Sequence, residues 1–123
     1  MNHALMIKYG RIPYVIDGDN YLGVDCHGFV KMYLQDTRGI VLPRDKFAWR
    51  KLFRRVKATE PMLKDDIVVM AAQNKLKLVD HIGIAISSTE IMHASSQFGG
   101  VVCQPRERLE GMIVCYQRLK NDS

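Results

Sequence analysis

The hydrophobic rhythm of the chain changes at Pro61, and this change limits the possible folds more than any other feature. Before it, apolar residues recur at helical spacing. Cys26, Phe29, Val30, Tyr33 and Leu34 stand at i, i+3, i+4, i+7 and i+8, one face of a helix, with Lys31, Gln35, Asp36 and Arg38 on the other. Gly39 supplies a stop. After Pro61 come short strand-like runs at 66–71, 76–86, 90–94, 100–104 and 112–119. Asn74, Ser87-Ser88 and Gly99-Gly100 join them, which predicts an antiparallel meander. Helices first and strands afterwards make an α+β fold, with N-terminal helices packed on a roughly five-stranded antiparallel sheet. A chain of 123 residues is one domain, 1–123, with room for a real core.

Between the two rhythms, Phe47, Leu52, Phe53 and Val56 interleave with Arg50, Lys51, Arg54, Arg55 and Lys57. This predicts a short amphipathic helix within 44–57 that carries much of the net charge of +5. Its basic face is a solvated helix surface or a site of attraction for a polyanion, such as nucleic acid or cell-wall phosphates. No nucleic-acid-binding module accompanies it, and no nucleic-acid partner is expected. No apolar run is long enough to span a membrane. Met1 to Gly10 lacks the apolar core and cleavage site of a secretory signal. The expectation is a chain that stays in the cytoplasm, leaves by another route, or has lost a leader. The 3 cysteines, Cys26, Cys103 and Cys115, have no CxxC spacing, so neither a disulfide framework nor a zinc knuckle is indicated.

Cys26 falls in the first turn of its helix, where free backbone N–H groups and the macrodipole favour an anion. A thiolate there is stabilised, and the expected pKa is lowered. The alternative is a small buried apolar residue. A cysteine nucleophile needs a base, and the base needs an orienting group. His3 stands in a segment expected to fray, and His27 points elsewhere around the helix from Cys26. His81 and His93 lie in consecutive strands, an even number of residues apart. A three-residue loop at 86–88 would pair Ala85 with Thr89 and set His81 directly opposite His93, Cβ atoms roughly 4.5–5.5 Å apart. His81, Gly83 and Ala85 would share one face, and Ile82, Ile84 and Ile86 the other, which reads as core. Asp80 would point away from His81, making His93 the better orienter. A zinc site of Cys26, His81 and His93 is chemically reasonable, but no acidic general base accompanies it. No metal and no cofactor are expected.

These residues fall into a known pattern. Gly23-Val24-Asp25-Cys26-His27-Gly28-Phe29, Gly39-Ile40-Val41-Leu42-Pro43-Arg44, His81-Ile82-Gly83-Ile84 and Ile91-Met92-His93-Ala94-Ser95 follow one another in order. In this the chain resembles the NlpC family of papain-like cysteine peptidases, which cut bacterial cell-wall peptides. The resemblance spans about Ile12 to Leu119, and its motifs are specific only together. It implies a papain-like fold with Cys26 as nucleophile, His81 as general base and His93 as orienter. It implies that Tyr14 helps to hold an oxyanion, an aromatic anchor being the alternative, and that Asp25 binds the free amine of a stem peptide. It places His27 in the substrate site, where relatives usually carry serine. The implied reaction is hydrolysis of peptidoglycan stem peptides through a thioester, at γ-D-glutamyl bonds to a diamino acid. The family's Pro-Gly-Asp before the first strand is Lys64-Asp65-Asp66 here. A leaderless version suggests a phage-tail or secreted-effector hydrolase, with a tail or secretion apparatus as partner, or an enzyme of recycled wall peptides. The rival classes are another cysteine hydrolase or transferase on this scaffold and a non-catalytic tail-assembly or binding module.

Overall fold

The computed structural model of the chain describes residues 3–71 and 80–121. The helix at Cys26 is α2, Cys26–Arg38. It begins where the pattern predicts because Asp25 caps it, its Oδ1 accepting from the Gly28 N–H at 2.8 Å. It ends because Gly39 takes the left-handed conformation, φ 66°, and returns its N–H to Gln35 O. Phe29, Val30, Tyr33 and Leu34 are fully buried. Each contributes roughly 1.5–3 kcal/mol by leaving water.

A short helix α1, His3–Tyr9, precedes it. The Tyr9 hydroxyl donates to Asp36 Oδ2 at 2.9 Å and ties α1 to α2. The ribbon of β1, Asp19–Asn20, and β2, Gly23–Val24, lies between them.

The predicted amphipathic helix within 44–57 is not formed. Lys46–Lys51 is a 3-10 segment, and Phe53–Arg55 is a strand, β3. Asp45 caps the segment through the Phe47 N–H, and buried Trp49 donates Nε1–H to Pro43 O at 2.7 Å. Phe53, Arg54 and Arg55 then find partners across the sheet in Leu119, Arg118 and Gln117. Ladder pairing outweighs a helical period only a few residues long.

The remaining strands are β4, Ile67–Met70; β5, His81–Ala85; β6, Glu90–Ser95; β7, Gly100–Pro105; and β8, Ile113–Leu119. A one-turn helix α3, Arg106–Leu109, and a 3-10 turn join β7 to β8. The predicted run at 76–86 lies partly, at 76–79, outside the described residues. The sheet is antiparallel with 6 strands in the order β3-β8-β4-β5-β6-β7, one more than expected because β3 replaces the helix. The result is an α+β, papain-like architecture. Helix α2 covers one face, against Ile67, Val69, Ile82, Ile84 and Met92. Met62, Val68, Met70, Ala85, Ile91 and Leu109 form a second core cluster. The histidine face of β5 is therefore partly core itself.

Asp65, where the resemblance would have glycine, has a φ of 74°. Aspartate tolerates this region better than most residues. Its carboxylate accepts from the Tyr33 hydroxyl and Arg38 Nη1, each at 2.9 Å. Beside it, buried Asp66 holds buried Arg118 through two contacts of 2.8 Å.

Candidate active site

Cys26 is 7% exposed at the start of α2. The glycine two residues on lets it sit there: a Cβ at Gly28 would stand 1.9 Å from Gly18 O, so only glycine admits the loop that crosses the helix start. The sulfur has three polar neighbours. Backbone N–H groups of Ile82 and His27 favour its anion, and His27 Nδ1 lies 3.4 Å away. Burial nevertheless pushes the thiol pKa up, with Asp25 adding to the rise. This corrects the expectation of a lowered pKa: burial strips water from Sγ and outweighs the N–H groups that favour its anion.

His81 and His93 come together, but not by direct opposition. Ile84 pairs with Met92 and Ala85 with Ile91, and Ile86 N–H donates to Glu90 O. The loop is Ser87-Ser88-Thr89, one residue later than predicted, so the register moves by two. Both histidines keep the same face because the shift is even. Gly83 now lies beside His93, where a Cβ would come 3.0 Å from the His93 Cβ. The bare glycine leaves His81 room to lean diagonally across to its partner. His81 Nε2 reaches His93 Nδ1 at 2.8 Å, the rings edge-on at 81°.

The diagonal continues onto a third strand. Gln104, on β7 opposite Ile91, meets His93 Nε2 with its Oε1 at 2.6 Å. These contacts fix the tautomers in sequence. The amide oxygen accepts, so His93 Nε2 carries the proton and its Nδ1 is bare. His81 Nε2–H then donates to that nitrogen, leaving His81 Nδ1 as a free acceptor. Gln104 is absent from the sequence reading. The signal that could have found it is parity across the β6–β7 hairpin, which depends on loop geometry. Both imidazoles are held neutral. Burial lowers His81 to about 4, helped by His93 and opposed by Asp80. Burial also lowers His93, against the pull of Gln104.

A cavity of about 490 Å³ opens over this row. Cys26, His81, His93, Gln104 and Tyr14 line it, with Asp80 at its wall. Tyr14 is half-buried, and its phenol is raised by burial and by the nearness of Cys26 and Asp25. Asp25 and His27 instead line a second cavity of about 380 Å³, with Trp49, Arg44 and Lys46. The His27 ring lies 5.7 Å from the indole of Trp49. Asp25 Oδ2 also accepts from the Asp17 N–H at 3.1 Å. For a metal, His93 offers no free nitrogen, since both are hydrogen-bonded. Among the described residues no three His, Cys, Asp or Glu side chains are grouped to hold one.

A helix carrying a cysteine against an antiparallel sheet that carries histidines downstream in the chain places the molecule in the papain-like α+β class. Within that class it belongs to the NlpC/P60 family, whose model matches residues 10–110. It is similar to the "Probable endopeptidase NlpC homolog" of Haemophilus influenzae, 30% identical over 95 residues, 77% of this chain and 48% of that protein. It is also similar to "Murein DD-endopeptidase MepS/Murein LD-carboxypeptidase" of Escherichia coli, 26% identical over 96 residues, 78% of this chain and 49% of that protein. The chain thus covers about half the length of these relatives. Among solved structures, the NlpC/p60 domain of the peptidoglycan hydrolase SagA superposes with a TM-score of 0.69 at 16% identity, covering 97% of this chain and 100% of that one. NlpC2 from Trichomonas vaginalis gives 0.71 at 18% identity, covering 88% and 41%. These two likenesses concern the fold. No helix among the described residues is long and apolar enough to cross a membrane.

Proposed function

We propose that the chain is a cysteine peptidase that hydrolyses amide bonds of peptidoglycan stem peptides, at γ-D-glutamyl bonds to a diamino acid. The observation that carries the reading is the row His81–His93–Gln104, which leaves His81 Nδ1 as a bare acceptor in the cavity that Cys26 lines. Family membership and relatives named as endopeptidases support the substrate class.

In this reading the resting pair is neutral, a thiol beside an imidazole. His81 Nδ1 takes the Cys26 proton as Sγ attacks the carbonyl. The Cys26 backbone N–H and the Tyr14 hydroxyl hold the developing oxyanion. His81 returns the proton to the departing amine, and the C–N bond breaks to leave a thioester. Water, losing a proton to His81, then attacks the thioester. The carboxylic acid leaves and the thiol is restored. His93 keeps the His81 ring in place, Asp25 receives the free amine of the stem, and His27 shapes the acyl side.

The test is digestion of purified peptidoglycan and of synthetic stem peptides, with products read by mass. The expected result is new γ-D-glutamyl carboxyl ends, lost in Cys26→Ala and His81→Ala. Measurable turnover should survive in His93→Asn or His93→Gln, which keep a hydrogen-bonding group. Full activity in His81→Ala would overturn the assignment of the base. Undiminished hydrolysis by Cys26→Ala would overturn the nucleophile.

A further inference from the structure

Neighbours on an α-helix stand about 100° apart around its axis, which by itself would carry the His27 ring away from Cys26. The ring instead folds back, and its Nδ1 lies 3.4 Å from Sγ. Among the described residues it is the one side-chain group hydrogen-bonded to that sulfur. The ring is half-buried, 5.7 Å from the buried indole of Trp49, which is fixed in turn by its Nε1–H to Pro43 O at 2.7 Å. The direction of the bond follows from what each partner carries. Sulfur already receives the backbone N–H groups of Ile82 and His27, and burial still favours the thiol. A buried thiol has one proton to give. Burial and the Lys46 ammonium keep the His27 ring neutral, against the pull of Asp25. A neutral imidazole has one bare nitrogen. Both needs are met when Nε2 carries the ring proton and Nδ1 accepts from S–H.

We propose that His27 is the resting acceptor of the Cys26 thiol proton, and that it restrains the nucleophile until the proton is passed to His81. The role of His81 rests on the peptidase reading; the bond to His27 stands without it. The site then holds two bare imidazole nitrogens for one proton, His27 Nδ1 beside the sulfur and His81 Nδ1 in the cavity that Cys26 lines. For attack, the S–H bond to His27 is given up, the hydrogen turns about the Cβ–Sγ bond, and the proton passes to His81 Nδ1 as the S–C bond forms. Until then the hydrogen bond favours the thiol, because a bare ring nitrogen beside a thiolate would set a lone pair against a charge. His27 therefore lowers the reactivity of the free site, the reverse of what a second base would do. A hydrogen bond of ordinary strength accounts for a restraint of about fivefold.

The experiment is alkylation of Cys26 by iodoacetamide in the substrate-free protein, read by peptide mass across about pH 6–10. His27→Leu keeps the bulk of the ring and removes the acceptor. His27→Asn keeps an acceptor, its Oδ1 standing near the place of Nδ1. The expected result is that His27→Leu reacts about fivefold faster at pH 7, through a lowered apparent thiol pKa and with the limiting rate at high pH unchanged. His27→Asn should stay within about twofold of the parent. An unchanged or slower rate at pH 7 in His27→Leu overturns the proposal. A faster limiting rate at the same thiol pKa also overturns it, since that is what a ring that merely screens the sulfur would give. Nitrogen chemical shifts of His27 by NMR test the bond in the unsubstituted protein, whatever the variants do. Nδ1 should read as unprotonated and Nε2 as protonated, and Cys26→Ala should shift Nδ1; a protonated Nδ1 overturns the proposal. Failure of the parent to hydrolyse stem peptides, with the alkylation and NMR results as expected, overturns the peptidase reading and leaves the bond to His27 standing. Hydrolysis by the parent with a protonated Nδ1 does the reverse.

Discussion

Gln104 is the residue on which the tautomers of the site depend, because it alone supplies an acceptor to His93 Nε2. Gln104→Leu should leave that N–H buried without a partner, at a cost of about 1–3 kcal/mol. The expected outcome is a fall in kcat of roughly tenfold or more with KM little changed. Gln104→Glu, which keeps an acceptor, should restore turnover and move the pH profile through a raised His93 pKa; a purely structural glutamine would move stability alone. The thiols differ in the same local way. Cys103, raised to about 11 by burial and by Glu90, should be alkylated more slowly than Cys26, which has an imidazole acceptor in its cavity. Rates read by peptide mass should show that His81→Ala removes the advantage. Equal labelling of Cys26, Cys103 and Cys115 would refute the nucleophile assignment. The residue types were legible in the sequence because a helix-start cysteine and two histidines of even separation need only periodicity to be seen. The Cys26 pKa was not, since burial is set by everything packed around it, and Gln104 was not, since nothing local marks it.

At the scale of elements, α2 is legible in the sequence because its cap, apolar stripe and terminal glycine agree. The segment 44–57 is ambiguous in sequence because its apolar spacing also fits a strand, and pairing with β8 decides between them. The β5–β6 hairpin shows the limit most sharply. Sequence gave the face of each histidine but not the register, because one step in the loop moves the pairing by two without exposing a single isoleucine. Gly83 belongs to this level, since its missing side chain is what permits the diagonal contact. In Gly83→Ala the new Cβ would stand 3.0 Å from both His93 Cβ and Met92 O. The expected cost is about 1–2 kcal/mol of stability, measured by urea unfolding, with a disproportionate loss of kcat as His93 is displaced.

For the whole molecule, the buried neutral histidines set the response to acid. His81 has a folded pKa of about 4, below its unfolded value. Between these limits the unfolded chain binds more protons, so stability rises with pH and is lost as pH falls from about 6.5 toward 4. The loss from this one group is on the order of 3 kcal/mol. Urea midpoints at pH 7 and pH 4.5 should move less in His81→Asn than in the parent. The same global view explains the ion pair of Asp66 and Arg118, which joins the entry of β4 to the end of β8. Arg118→Met would strand a buried carboxylate and should cost about 3–5 kcal/mol, seen as a lowered Tm.

The diagonal row from β5 through β6 to β7 has a consequence for quality control. A sheet slipped by two residues keeps each side chain on its own face and would look much the same in a measurement of secondary structure. It would still separate His81 from His93, or His93 from Gln104, each of which sits on a different strand. In the peptidase reading, turnover would therefore report on strand register. A preparation whose active fraction falls short of its folded fraction contains chains that solved the packing problem and missed the alignment.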